Sequence, residues 1–345
     1  MKLGLKPEHA LEWLALKLNV VPEPIAQTHI AFVAARAIMA GTSLGIFEAI
    51  EDGANTAEAI ARLCGTDPRA TRSLVDCLVG LEYVRVTRGR YRNSQRARKW
   101  LLKRSPTSVR DKLIFQEIEW NIVGRLEEYV RSGVGLDVHA TLDERSWGVY
   151  QDAMRSLASG AAPAIARRLR LPKEARRMLD IGGSHGLHSA AICRRHPQLE
   201  AEILDLPAAL AHRRPPDDGL AGRIRFREGD ALREDLGVAK YDLVLISNLV
   251  HHFSEAENEA LAKRVSRSLR PGGMYVVADF EKPSPGGRNA PIGGALDLYF
   301  SLTSSSGTWP VATIRAWQKG AGLRPRREVR LPDLPGFVLS SAVKP

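Results

Sequence analysis

The sequence predicts an α/β fold: a parallel β-sheet layered with helices in the C-terminal half, behind a mostly helical N-terminal region. Three observations predict it. From residue 177 onward, short apolar runs of β type alternate with helical stretches. That is the pattern of right-handed βαβ units whose sheet is buried on both faces. The first run closes in a cluster of glycines, "LDIGGSHG" over 179–186. Before residue 105, by contrast, the texture is helical and only briefly β.

The length, 345 residues, suggests two domains and ample material for a core. Apolar residues are 44% and charged residues 26%, as in ordinary soluble proteins. No run of about 18 apolar residues offers a membrane span. "MKLGLKPEHALEWLALKL" lacks the apolar block and cleavage site of a signal peptide, so a cytoplasmic location is expected. Cys64, Cys77 and Cys193 show no C-x-x-C spacing, which speaks against disulfides and a cysteine zinc site. Net charge is +11, compatible with nucleic acid, an acidic ligand or an Arg-rich proteome.

Taken in order, "HIAFVAARAIMAGTSLGIFEAI" is apolar at nearly every helical phase and is expected to be buried, against a second chain if not its own. "NTAEAIARLCG" opens on a capping Asn55 and closes on Gly65. "DPRATRSLVDCLVGLEYV" has Asp67 as cap and Pro68 in the first turn. "YVRVTRGRYRNS" reads as a hairpin turning at Gly89. Helix, helix, helix, hairpin is the order of a winged-helix domain, placed at 1–105. Residues 106–172 read as a helical connector rich in Trp, Tyr and Arg. Residues 173–345 hold the sheet: "RMLDIGG", "AEILDLP", "RIRFREGDAL", "YDLVLIS", "RPGGMYVVADF", "RREVRL" and "GFVLSSAV", with a Pro-Asp-Gly loop after the second run and a long helix over 254–269.

In such sheets ligands sit beyond the carboxyl ends of the strands. Gly182, Gly183 and Gly186 permit a sharp turn and a close ligand, and the following helix offers its N-terminus to a carboxylate. A plain tight βα turn is the competing reading. Asp205 ends the second run, where a carboxylate can accept both ribose hydroxyls of an adenosine ligand. Asp230, after the third run, is placed for the adenine amino group.

"LDIGGSHG", "ILDLP", "GDAL" and "LRPGGMYVVADF", in that order and spacing, resemble class I S-adenosylmethionine-dependent methyltransferases. A NAD dehydrogenase more often shows G-x-G-x-x-G and a second catalytic domain. A helical winged domain ahead of this core further resembles the small-molecule O-methyltransferases of plant caffeate and bacterial polyketide or carotenoid type. The resemblance covers nearly the whole chain. It implies a seven-stranded Rossmann-like core, S-adenosylmethionine as cofactor and a homodimer formed through the N-terminal domain. It implies contacts to that cofactor from Asp180, Gly182, Gly183, Gly186, Asp205, Leu206, Gly229, Asp230, Ala231, Ser247 and Asn248.

"NLVHHFSEAE" places His251 and His252 after the fourth run. Adjacent histidines admit a metal site, a catalytic base beside a bystander, or two unrelated residues. Neighbours on a helix point about 100° apart, which disfavours one shared ion. The resemblance puts His251 on the family's general base and His252 where relatives often carry Asp. Imidazole suits deprotonation of a phenol or enol as the methyl group is attacked. Asp279 matches the family's acid after the fifth strand, more often Glu. Plant members add a second carboxylate before the last helix, where this chain has Thr308.

The resemblance places acceptor-pocket residues at Trp147, Tyr150, Met154, His252, Asp297 and Phe300; ordinary packing is the alternative for each. Ser247 and Asn248 either meet the sulfonium or simply end the strand and cap the helix. The reaction expected is methyl transfer to a hydroxyl oxygen of a small molecule. Alternatives are a carbon, nitrogen or sulfur acceptor methylated by proximity, or a cofactor-sensing DNA-binding regulator. The last draws on "RVTRGRYRNSQRARK" (85–99), with seven Arg or Lys on the expected wing. Against it, "PRATRSLVDCLVGL" brings only Arg69 and Arg72 to a would-be recognition helix.

Overall fold

A computed structural model of the chain describes residues 5–214, 218–287 and 290–345. The Pro-Asp-Gly loop expected near 215–219 lies largely outside the described residues. The chain divides into two compact units, residues 2–119 and 120–345.

The first unit carries α1 (Ala10–Lys17) and α2 (Glu23–Ile25), which runs through a π-helical stretch (Ala26–Ile30) into α3 (Ala31–Ser43). Then come α4 (Ile46–Glu51), α5 (Ala57–Cys64), α6 (Pro68–Gly80), the hairpin β1 (Val84–Thr87) and β2 (Arg90–Asn93), α7 (Gln95–Trp100) and the greater part of α8 (Arg110–Val123). Asp67 caps α6 by accepting from Ala70 N at 2.8 Å. The cap of α5 is Thr56 rather than the expected Asn55, whose Oδ1 instead accepts from Arg90 Nη1 at 2.8 Å. The core gathers Ile46, Phe47, Ile60, Val75, Leu78, Val84 and Tyr91. Arg88 and Gly89, both with positive φ (51° and 73°), make the two-residue turn that suits a twisted hairpin.

Only part of the basic stretch is wing. After Asn93 the chain turns back into helix, with Ser94 capping α7. Arg96 pairs with Glu82, and Arg98 pairs with Glu51. Where the π-helical stretch passes into α3 the apolar residues Ile30, Phe32 and Val33 are exposed, while Ala37 and Met39 further along are buried. The expectation of burial along the whole segment therefore fails within one chain.

The second unit opens with α9 (Leu126–Ser132), α10 (Val138–Thr141) and the long α11 (Glu144–Arg168). It continues with β3 (Arg177–Ile181), α12 (Leu187–Arg195), β4 (Glu200–Asp205), α13 (Pro207–Ala211), β5 (Ile224–Glu228), β6 (Tyr241–Ser247), α14 (Glu255–Ser268), β7 (Leu269–Phe280), α15 (Ala290–Thr303), α16 (Val311–Gly320), β8 (Arg324–Pro325), β9 (Val329–Arg330) and β10 (Phe337–Val343). The strand order is β5-β4-β3-β6-β7-β10-β8, with β9 also on β10. β3 to β7 are parallel and β10 is antiparallel to β7. β8 and β9 pair with opposite ends of β10, so they act as one interrupted edge strand. Counted that way the sheet has the expected seven strands.

Both faces of the sheet are covered. Met178, Ile203, Leu243 and Val276 pack on one side; Leu179, Leu204, Val244 and Val277 pack on the other. The order reverses between β3 and β6, from which β4 and β5 run one way and β7 the other. Ligand crevices form at such a reversal, outside the carboxyl ends of the strands.

Candidate active site

At the end of β3 the chain turns on Gly182 and Gly186, both at φ 71°. Gly183 lies so close to the strand beneath that a Cβ there would come 2.6 Å from Asp180 Cγ. Asp180 itself is fully buried. Its Oδ2 accepts from Ser189 Oγ at 2.7 Å, and its Oδ1 has no partner. Burial pushes this carboxyl up to about 7, with the charge of Asp205 adding to the effect and the Ser189 bond opposing it. Asp180 thus supports the loop from below.

Asp205, at the end of β4, accepts from Ser184 N (2.8 Å) and from Leu206 N (2.8 Å). Burial raises its carboxyl to about 6 against the pull of those two donors. Leu206 beside it is 41% exposed, an apolar ledge at the strand end. Gly229 N donates to Asp205 O at 2.9 Å, which brings the next turn alongside. There Asp230 Oδ1 accepts from Leu232 N at 2.8 Å, and the Ala231 carbonyl accepts from Arg264. Two non-glycine residues with positive φ, Ser184 (37°) and Asn248 (52°), flank the crevice from β3 and β6. Asn248 Nδ2 reaches Ser247 Oγ at 3.3 Å, and its N–H donates to Ala278 O.

After β6 a 3₁₀ turn, Val250–His252, holds the histidine pair. His251 Nδ1 lies 2.9 Å and 3.1 Å from the two Asp279 oxygens, and both side chains are almost wholly buried. The Phe300 ring sits on the His251 ring, with centroids 3.9 Å apart. His252 contacts His251 at 4.3 Å and His139 at 4.9 Å. His139 Nε2 lies 3.1 Å from Tyr150 Oη, and its ring stacks on Trp147 at 5.5 Å. Burial, and then the neighbouring His251 and His139, keep His252 well below the ordinary histidine range; burial lowers His139 as well. Among the described residues no group of three or more His, Cys, Asp or Glu is arranged to hold a metal ion.

Of the residues expected at the acceptor, Trp147 and Tyr150 connect to His252 through the His139 ring, and His252 and Phe300 each contact the His251 ring. Met154 is half-buried on α11. Asp297 departs from the expectation: its oxygens face Thr308 and Lys282 of its own chain. His139, Ser184, Gln151 and Arg155 were not anticipated. Ser184 Oγ bonds Gln151, and Arg155 donates to His185 O. Gln151, Arg155 and His185, with Asp152, His212 and Arg214, line a small, partly open recess beside the glycine loop. The one available signal was that His139 is the only histidine in the Trp- and Tyr-rich connector.

Residues 128–304 match the O-methyltransferase domain, and residues 27–103 match the O-methyltransferase dimerisation domain. The chain belongs to the O-methyltransferase family. The enzyme is 30% identical over 339 residues to acetylserotonin O-methyltransferase of Mus musculus, spanning 90% of this chain and 86% of that protein. It is 28% identical over 338 residues to the N,N-dimethyltransferase OxyT of Streptomyces rimosus, spanning 93% and 96%. Its fold matches the crystal structure of human N-acetylserotonin methyltransferase in complex with SAM at a TM-score of 0.82, with 18% identity over 99% of each chain.

The methyl donor of this family is S-adenosylmethionine. The residues at the crevice fit it by their chemistry. Asp205 presents two carboxylate oxygens at the end of β4, Leu206 offers an apolar surface, and the turn at Asp230 carries a second carboxylate. The glycine loop leads into the N-terminus of α12. Among the described residues no helix is long and apolar enough to cross a membrane.

Proposed function

We propose that the enzyme methylates a hydroxyl oxygen of a small aromatic acceptor, with His251 as general base. The observation that carries this is the buried His251–Asp279 pair at the carboxyl end of β6. Asp279 accepts from Nδ1–H, which leaves Nε2 as the basic nitrogen and fixes the ring plane. His251 takes the hydroxyl proton at Nε2 as the oxygen attacks, and Asp279 stabilises the imidazolium that results. When bound, S-adenosylmethionine supplies an electrophilic methyl group. Asp205 would hold its ribose, Asp230 its adenine amino group, and the loop Gly182–Gly186 its methionine end, with Arg155 near enough to the loop to favour a carboxylate. Ser247 and Asn248 border the methyl group's path. Trp147, Tyr150, Met154, His252 and Phe300 form the acceptor wall and keep water away from the proton transfer.

The enzyme works as a homodimer through the N-terminal unit, a reading supported by the match to a dimerisation domain and by the exposed Ile30, Phe32 and Val33. A cytoplasmic location fits three free thiols. A second reading, transfer to nitrogen or carbon by proximity, is favoured by the similarity to an N,N-dimethyltransferase.

The test is incubation of the purified enzyme with isotopically labelled S-adenosylmethionine and N-acetylserotonin or hydroxylated polyaromatic acceptors. Label recovered in a methyl ether supports the reading. Label only on nitrogen or carbon moves the conclusion to the second.

A further inference from the structure

His251 is held by more than Asp279. Its backbone carbonyl accepts from Gly307 N (3.1 Å) and Ser304 Oγ (2.9 Å), a hydroxyl whose single proton is shared with Phe300 O (2.6 Å). The flanking carbonyls are taken by the same loop. Ser305 Oγ donates to His252 O at 2.8 Å, and Trp309 Nε1 donates to Val250 O at 3.1 Å. The loop also reaches the other partner of the pair. Lys282 N, just beyond β7 and Asp279, donates to Trp309 O at 3.1 Å. Loop 304–309 therefore spans the backbones that carry both His251 and Asp279.

One carboxylate adds a further hold on that loop. Asp297 Oδ1, one helical stretch earlier on α15, accepts from Thr308 N (2.9 Å) and Thr308 Oγ1 (2.6 Å). Its Oδ2 pairs with Lys282 Nζ at 3.1 Å. The fit leaves no slack at Gly307. Its φ is 143°, and a Cβ there would come 2.5 Å from Ser301 Oγ and 3.2 Å from Asp297 Oδ1. Ser304 and Thr308 are buried, so these bonds are shielded from competing water.

We propose that Asp297 is a positioning residue for His251, acting through Thr308 and loop 304–309; this rests on His251 being the general base. The carboxylate that Thr308 lacks arrives from the neighbouring helix and acts on the backbone of the base rather than on its ring. Two donors converging on one ionised oxygen make charge-assisted bonds, stronger than neutral ones and directional. A ring that must hold Nδ1 on Asp279 and Nε2 toward the acceptor depends on where its own peptide sits.

The test needs no acceptor. In proton NMR of the enzyme saturated with S-adenosylhomocysteine, an imidazole Nδ1–H bound to a buried carboxylate gives a far-downfield signal, assigned by its loss in His251→Ala. In Asp297→Ala this proton should exchange with water about ten-fold faster or vanish, the loss expected when a charge-assisted hydrogen bond goes. S-adenosylhomocysteine affinity by calorimetry should stay within two-fold of wild type, roughly the scatter of distant substitutions. Asp297→Asn, whose amide oxygen still accepts from Thr308, should restore the signal. An unchanged signal in Asp297→Ala overturns the proposal, even if thermal stability falls. If that variant does not fold, Thr308→Val carries the test by the same criterion. A wild-type enzyme with no such signal overturns the His251–Asp279 reading itself, and the positioning role with it.

Discussion

His251 Nδ1 lies 2.9 Å from Asp279 Oδ1 in a site that exposes about 2% of the histidine and 1% of the aspartate. With one ring nitrogen committed there, any proton from an acceptor must go to the other. His251→Ala is expected to slow single-turnover methyl transfer by roughly 10²- to 10⁴-fold, the usual contribution of a positioned acid or base. Asp279→Asn should fall between that variant and wild type, because it orients the base without taking the proton. His252→Ala should lose less than either, since its ring is kept neutral by burial and by the neighbouring imidazoles. Affinity for S-adenosylhomocysteine should hardly change in any of the three. Near-normal turnover in His251→Ala would remove base catalysis and leave proximity-driven transfer.

The proposed ribose contact of Asp205 predicts a pH dependence of cofactor binding. Burial raises its carboxyl to about 6. Hydroxyl donors from a ribose favour the ionised form, so binding and ionisation reinforce each other. Affinity is therefore complete above that value and lost as pH falls through it, by up to about ten-fold per unit. Calorimetric titration of S-adenosylhomocysteine across this range checks the sign. Asp205→Asn should bind more weakly throughout and show a flatter profile; an unaltered slope would assign the titration elsewhere.

The exposed apolar residues at the start of α3 predict the state of assembly. Light scattering should report about twice 37.9 kDa for the intact protein. Phe32 is 48% exposed in the single chain, and Phe32→Asp should shift the equilibrium to monomer. A buried charge without a partner costs several kcal/mol, enough to dissociate an ordinary dimer at micromolar concentration. A mass unchanged by the substitution would place the interface elsewhere.

The turns and strand ends that frame the candidate site were legible because they rest on local signals. Glycines at a strand end need positive φ, and Gly182 and Gly186 have it. Acids closing apolar β runs fall at the carboxyl edge of a parallel sheet, and Asp205 at the end of β4 and Asp279 near the end of β7 do. The hairpin turn at Gly89 and the Asp67 cap were readable for the same reason. Each depends on a few neighbouring residues.

Other features were not legible. Asn55 and Thr56 are both good caps, and the choice fell to Thr56 once Arg90, far along the chain, engaged Asn55. The basic stretch read as one wing, yet Ser94 turned its second half into α7. Asp297 read as an acceptor contact; only the return of the chain at Thr308 and Lys282 gave its carboxylate partners within its own chain. His139 joined the wall of His252 through packing that brings α10 and the turn after β6 together.

By itself, the sequence determined the order of the main elements and the parallel core, because hydrophobic period and turn chemistry are written over short spans; the expected crevice and base came from its resemblance to a known family. Tertiary structure alone decided the contacts around the His251–Asp279 pair: Phe300 against the His251 ring and loop 304–309 on its carbonyl. Those contacts join residues distant in the chain, and hydrogen bonds act over about 3 Å. No local pattern specifies such a distance until the sheet and α15 have packed.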